Sequence, residues 1–311
     1  MARTDDDTWD IATTMGATAV MTAMARADET NSANPLIRDQ FAEPLVATPQ
    51  LAHVCEQVSS MWADAGEADR QQVVDHLAVR THFFDAFFTE AAEAGIGQHV
   101  ILASGLDSRP YRLNWPAGTV VYDNDVPAVL EYKAATLRAY GAEPTATLRE
   151  VGVDLRHDWP AALLQAGFDP TRATAWLAEG LLPFLRGTAQ EAMFANMHRL
   201  SADGSRVAVE VLHIDDQRRR EVEQQWHKER LAREQRGEDV SFDHPFRLWY
   251  GDEGRPDCVQ WFDLHGWTAQ SVDSRQEAQR LGRTIAPPSS DQPFFGSFNT
   301  SFVTAELPAN P

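Results

Sequence analysis

The sequence predicts an α/β fold built on a doubly wound, mostly parallel sheet. Three observations carry that expectation. From residue 99 onward, short apolar or β-branched runs alternate with helical stretches, as strands and crossover helices do. Several of these runs end in a small-residue turn or an acid, the composition of a carboxyl edge that receives a ligand. At 311 residues and 43% hydrophobic content, the chain is long enough to bury one large core and carry a cap.

The elements follow in order. Residues 5–8 supply acids and an N-cap for an opening helix in which Ile11, Met15 and Ala19 recur at four-residue steps. Pro35, Pro44 and Pro49 then punctuate a loop-rich stretch with a short helix. Residues 71–94 carry a helical stripe of Val74, Leu77, Phe84, Phe88 and Ala91, stopped by Gly95 and Gly97. Arg80 falls on that stripe and points inward, where a guanidinium requires an anion: an internal Asp or Glu, or the carboxylate of a ligand. Strands are expected at 99–103, 119–122, 146–153, 174–177 and 205–212, with helices at 126–140, 160–167 and 189–200. A highly charged helical stretch at 215–236 and an aromatic loop with Phe242, Phe246, Trp249 and Tyr250 read as an inserted lid. A helix at 260–265 stopped by Gly266, a strand at 268–272 and an alternating run at 297–305 close the chain, the last suited to antiparallel pairing. The expected organisation is a helical cap over 1–78, a cofactor-binding core over 79–213, a lid over 214–259 and closing strands over 260–311.

Charge and cysteine content narrow the function. A net charge of −19 is the reverse of a phosphate-binding footprint, which excludes nucleic acid and anionic membranes as expected partners and leaves a small molecule. Only Cys55 and Cys258 are present, without metal-ligand spacing, so no metal site is expected from cysteine. Three consecutive acids near the start stand where a secretory signal would place basic residues, and no run is apolar enough to span a bilayer. A cytoplasmic setting is the expectation, as a monomer or homodimer.

The strand ends hold the candidate chemistry. The first strand runs into Ser104-Gly105-Leu106-Asp107, the second ends in Asp123-Asn124-Asp125, the third in Asp154-Leu155 and the fourth in Glu179-Gly180. Asp125 lies twenty residues after Gly105, the spacing at which an acid commonly receives ribose hydroxyls. Four successive acids at one edge suit a cationic or hydroxyl-rich ligand. An Asp-x-Asp after a strand can also hold a divalent metal and a sugar diphosphate, so a glycosyltransferase remains an alternative.

The strings VILASGLDSRPYRL (100–113), DNDVP (123–127), VDLR (153–156) and AEGLL (178–182) resemble the S-adenosylmethionine-dependent methyltransferases of the leucine carboxyl methyltransferase-like family, as found in actinobacteria. The resemblance extends to the DDTWD segment, the helix at 79–85 and the HGW turn at 265–267. It implies a class I methyltransferase fold: a Rossmann-like sheet of seven strands, the last antiparallel, under a helical cap. It also implies S-adenosyl-L-methionine as cofactor, with Arg80 receiving its carboxylate and Gly105 approaching its methionine part. Asp125 would hold the ribose, Asp154 and Leu155 would frame the adenine, and Glu179 would stand near the amino group and the acceptor entrance. Asp107 matches the family's turn acid, with orientation of Arg109 or of the loop amides an equal expectation. The expected reaction is O-methylation of a carboxyl or hydroxyl group on a small, partly apolar acceptor. A hydroxyl acceptor would need a base, for which His213, His227 and His244 are candidates, with an ordinary surface or packed position the main expectation for each. A non-catalytic module that only binds the cofactor is a further alternative.

Overall fold

Helix α1 (Thr14–Thr30) opens the part of the chain that the computed structural model describes, which comprises residues 14–213, 216–237, 249–250, 254–286 and 299–308. It packs with α2 (Ala42–Val46), α3 (Ala52–Ala65) and the first half of α4 (Glu67–Glu93) into the cap. α3 buries Val54, Val58 and Trp62 at four-residue steps, so it is a full helix where the prolines suggested a mostly irregular stretch. The opening helix's acids and Ile11 lie outside the described residues.

α4 buries two different partners along its length. Val73, Val74 and Leu77 join the cap cluster, whereas Phe84, Phe87, Phe88 and Ala91 pack on one face of the sheet. It therefore crosses the expected cap–core boundary at residue 78 without interruption, and Arg80 stands at the seam between its two halves.

The sheet follows as β1 (Gln98–Leu102), the short α5 (Arg109–Arg112), β2 (Val120–Asp125), α6 (Pro127–Ala139), β3 (Thr147–Gly152), α7 (Trp159–Gln165), β4 (Thr174–Ala178), α8 (Gly187–Arg199) and β5 (Arg206–His213). After α9 (Asp216–Gln235) come α10 (Cys258–Leu264), β6 (Thr268–Asp273), α11 (Ser274–Arg280) and β7 (Asn299–Glu306). α11 has no counterpart in the sequence expectations. Its buried face is only Ser274, Glu277 and Ala278, too polar to announce a helix by periodicity.

The spatial order is β3-β2-β1-β4-β5-β7-β6, with β7 antiparallel to both neighbours and the remaining pairs parallel. The seven strands and the antiparallel last strand agree with the expected fold class. Every residue of β1 and β4 is buried, as strands covered by helices on both faces require. Because the chain steps outward from β1 through β2 to β3 and then returns to β4 beside β1, the strand order reverses between β1 and β4. A crevice opens at the carboxyl ends of strands at such a switch point. Among the described residues no helix is long and apolar enough to cross a membrane, and both cysteines are free thiols.

Candidate functional site

A cavity of about 200 Å³ lies at this switch point, between the sheet's carboxyl edge and the cap. The turn after β1 (residues 103–107) and the loop after β4 (179–184) form its floor, while α1 and α4 form its roof. Ala103 and Gly105 both have φ of 51°. This left-handed backbone is strained at Ala103 and easy at Gly105, which has no side chain. A Cβ on Gly105 would stand 3.0 Å from the Ala19 Cβ of α1, so the glycine also lets the cap close onto the turn.

Four arginines and five carboxylates form one buried ionic chain along the cavity. At the cap end, Arg26 Nε meets Asp39 Oδ2 at 2.8 Å, and the Ser108 hydroxyl donates to the same oxygen. Arg112 donates to Ser108 and to both oxygens of Asp85. Arg109 Nε reaches Asp85 at 2.7 Å, and its Nη1 meets Asp107 and Glu179 Oε2. Arg80 Nε lies 2.8 Å from Glu179 Oε1, while its Nη1 donates to Glu210 Oε2 at 3.0 Å. His76 Nε2 ends the chain, 3.6 Å from Glu210 Oε1.

Burial and pairing pull these carboxylates in opposite directions. Desolvation alone would raise Asp107, but Arg109 and Arg112 outweigh it and hold the acid below the usual carboxylate range. Asp39 is likewise lowered by Arg26 and Arg112 against its burial, and Glu210 by Arg80. The guanidinium groups of Arg80, Arg109 and Arg112 are raised, since their carboxylate neighbours overcome the desolvation penalty. All of these groups are therefore charged at neutral pH.

The cavity brings together four of the seven predicted residues: Arg80, Gly105, Asp107 and Glu179. Of the two expectations for an inward Arg80, the internal one is met, with Glu179 and Glu210 as its partners, and the residue also lines the cavity. Asp107 is engaged by the backbone N–H and the guanidinium of Arg109, the orienting role. Asp125 lies outside the lining but borders it: its Oδ2 accepts from Gly105 N at 2.7 Å and its Oδ1 from Val126 N at 2.7 Å. Burial raises its pKa against those two hydrogen bonds. Asp154 and Leu155 follow β3, also outside the lining, with Asp154 paired to Arg156 at 2.7 Å.

Asp123 does not join Asp125 in a metal-binding pair. It is fully buried with Lys133 Nζ of α6 at 2.7 Å, and Lys133 also donates to Ser104. The Asp-x-Asp thus braces the turn from beneath, which removes the basis for the glycosyltransferase alternative.

The two described histidines among the base candidates have ordinary surface positions. His213 bonds to Ser301 and is exposed, His227 is exposed on α9, and neither lines the cavity; His244 is outside the described residues. His76 does line it and was missed by sequence reasoning, as were Arg26, Arg112 and Glu210; Arg109, expected only as Asp107's partner, lines it too. Two signals were available. His76 is four residues before Arg80 on one helical face, and Glu210 interrupts the apolar run VAVEVL, where an acid must be paired.

Comparison with known proteins agrees with this architecture. The family model described as leucine carboxyl methyltransferase matches residues 19–198, from the cap through α8. A relative from Mycobacterium ulcerans named "Putative S-adenosyl-L-methionine-dependent methyltransferase" is 57% identical over 318 residues, covering 99% of this chain and 100% of its own. One of the same name from Mycobacterium tuberculosis is 49% identical over 287 residues, covering 91% and 89%. A crystal structure described as a "putative methyltransferase" from Thermobifida fusca shares the fold at 18% identity, with a TM-score of 0.50 over 86% of this chain and 93% of that one. With the matched stretch holding Arg80, the Gly105 turn and Glu179, the chain belongs to the leucine carboxyl methyltransferase family.

Proposed function

We propose that this chain transfers a methyl group from S-adenosyl-L-methionine to an oxygen atom of a small, partly apolar acceptor. The observation that carries the reading is the state of Arg80 and Glu179. The two line the cavity with opposite charge, 2.8 Å apart, a pair matched to a ligand that carries both a carboxylate and an ammonium. The turn at Gly105 fits the same ligand, because its bare backbone admits close approach beside Asp125.

In this reading Arg80 holds the methionine carboxylate and Glu179 the amino group. Asp125 takes the ribose hydroxyls, and Asp154 with Leu155 frames the adenine. Asp107 acts on Arg109 and, through it, on Glu179. The cofactor, when bound, supplies a methyl on a sulfonium that departs as a neutral thioether. The chain's own work is alignment and exclusion of water: α1 and α4 roof the cavity, and Leu77, Pro183 and Phe184 supply apolar walls. The acceptor's partly apolar character follows from those walls.

The test is transfer of a trideuteromethyl group from labelled cofactor to a mixture of phenols, carboxylic acids, amines and thiols, followed by mass spectrometry. Labelled methyl ethers or esters are expected. Label found only on nitrogen or sulfur would remove the O-methylation reading, and cofactor binding without label on any compound would favour the non-catalytic module.

A further inference from the structure

One apolar wall of the cavity is built from two stretches of chain far apart in sequence. Pro183 and Phe184 come from a short 3₁₀ turn after β4 (Leu182–Phe184), and Trp249 comes from beyond α9. The Phe184 and Trp249 rings meet edge to face, with centroids 6.4 Å apart. Residues outside the cavity lining staple the two stretches together. Tyr250 N donates to Pro183 O at 2.9 Å, and the Arg186 guanidinium lies over the Tyr250 ring, 5.2 Å from its centroid. Arg255 spreads its fork over the end of the turn: Nη1 donates to Leu182 O and, at 2.9 Å, to Gln190 Oε1, while Nη2 donates to Leu185 O at 2.8 Å. Gly187, at the start of α8, lets this segment seat, since a Cβ there would stand 2.5 Å from Gly254 O.

We infer that Phe184 and Trp249 select the acceptor by an aromatic ring, and that Arg255 is the positioning residue that holds this wall together. The inference rests on the methyl-transfer reading above and deepens it by giving the acceptor's apolar body a shape. A planar ring that packs on such a pair gains aromatic contact beyond the area it buries, which a puckered or flexible alkyl group does not. The charge of the lining suits a ring that bears a carboxylate, with Arg26, Arg80, Arg109 and Arg112 against Asp107, Glu179 and Glu210. Arg255 acts through the backbone. Without its fork the carbonyls of Leu182 and Leu185 lose this donor, Phe184 between them is held less firmly, and the ring pair loosens. The cofactor contacts assigned above, from Arg80 to Glu179, lie within residues 19–198 that the family model matches, whereas Trp249 and Arg255 lie beyond them. Cofactor binding and ring selection therefore come from different stretches of the chain, and one can change without the other.

The test titrates protein saturated with S-adenosylhomocysteine with 4-methylbenzoate and with trans-4-methylcyclohexanecarboxylate. The two share charge and size and differ in the flat ring. The wild type is expected to bind 4-methylbenzoate about fivefold more tightly, and Trp249→Leu to lose that preference. Arg255→Met should lose most of it as well while its affinity for S-adenosylhomocysteine stays within about twofold of the wild type, a split that general loosening of the fold would not give. Gly187→Ala unseats the same segment from the other side and should act alike. No binding of 4-methylbenzoate by the cofactor-loaded wild type, equal or reversed binding of the two acids, or a preference unchanged in Trp249→Leu overturns the inference and leaves the methyl-transfer reading standing. A preference unchanged in Arg255→Met, or lost there only in step with S-adenosylhomocysteine, overturns the role of Arg255. The comparison of the two acids on the wild type needs no variant to fold. Failure of the wild type to bind S-adenosylhomocysteine would overturn both readings.

Discussion

Arg80 bridges Glu179 and Glu210, and its removal strands Glu210. Arg80→Met leaves Glu210 buried without an arginine while Glu179 keeps Arg109, which should cost about 3–5 kcal/mol of stability at neutral pH. The same variant should regain part of that loss on mild acidification, because a stranded carboxylate escapes its penalty by taking a proton. Urea unfolding at two pH values checks both statements, and an equal loss at each pH would contradict them. Arg80 was legible in the sequence because a cation on an apolar helical stripe must find an anion. Its partners were not, since helix and strand periodicity says which face a residue occupies and not which acid from another strand arrives there. Arg109 shows the limit most clearly. The sequence offers it only as the partner of Asp107, yet it is 3% exposed and also joins Asp85 and Glu179 from two other parts of the chain.

At the scale of elements, the site depends on how closely α1 approaches the turn after β1. Gly105→Ala adds a methyl group 3.0 Å from Ala19 Cβ at a φ of 51°, so it should destabilise the protein by about 1–2 kcal/mol and weaken cofactor binding together. Thermal unfolding and calorimetry check the pair of effects; loss of binding without loss of stability would mean that the turn and α1 are not coupled. Beneath the same turn, Lys133→Met leaves Asp123 as a buried unpaired carboxylate, with an expected loss of about 3–5 kcal/mol in chemical denaturation. Lys133 escaped notice because its helix, α6, was readable only as an amphipathic crossover, and a lysine there ordinarily reaches solvent. The strands β1, β4 and β5 were legible because their buried runs are continuous. α11 was not, because it covers the sheet edge with a mostly polar face.

For the whole molecule, the ionic chain and the core histidine give stability a two-stage dependence on acid. His99 is buried between Phe88 and Trp115 with Nε2 on the Ile96 carbonyl, and desolvation lowers its pKa from 6.5 to about 4. The unfolded chain therefore binds a proton that the native state refuses, and stability should fall by roughly 3 kcal/mol as pH drops from 6.5 to 4. The second stage comes from Asp39, Asp107 and Glu210, whose native pKa values are lowered. Their contribution is complete above the ordinary values of 3.8 and 4.5 and is lost as pH falls through the native ones. His99→Asn should flatten the first stage and leave the second, as read from urea midpoints across pH. Binding of S-adenosyl-L-methionine in the switch-point cavity through Arg80, the Gly105 turn and Asp125 is tested most directly by calorimetric titration with S-adenosylhomocysteine, wild type beside Asp125→Ala. Micromolar binding, about −8 kcal/mol, weakened at least about tenfold by the substitution, is expected. A folded wild type that releases no binding heat and shows no thermal shift with the ligand would contradict it.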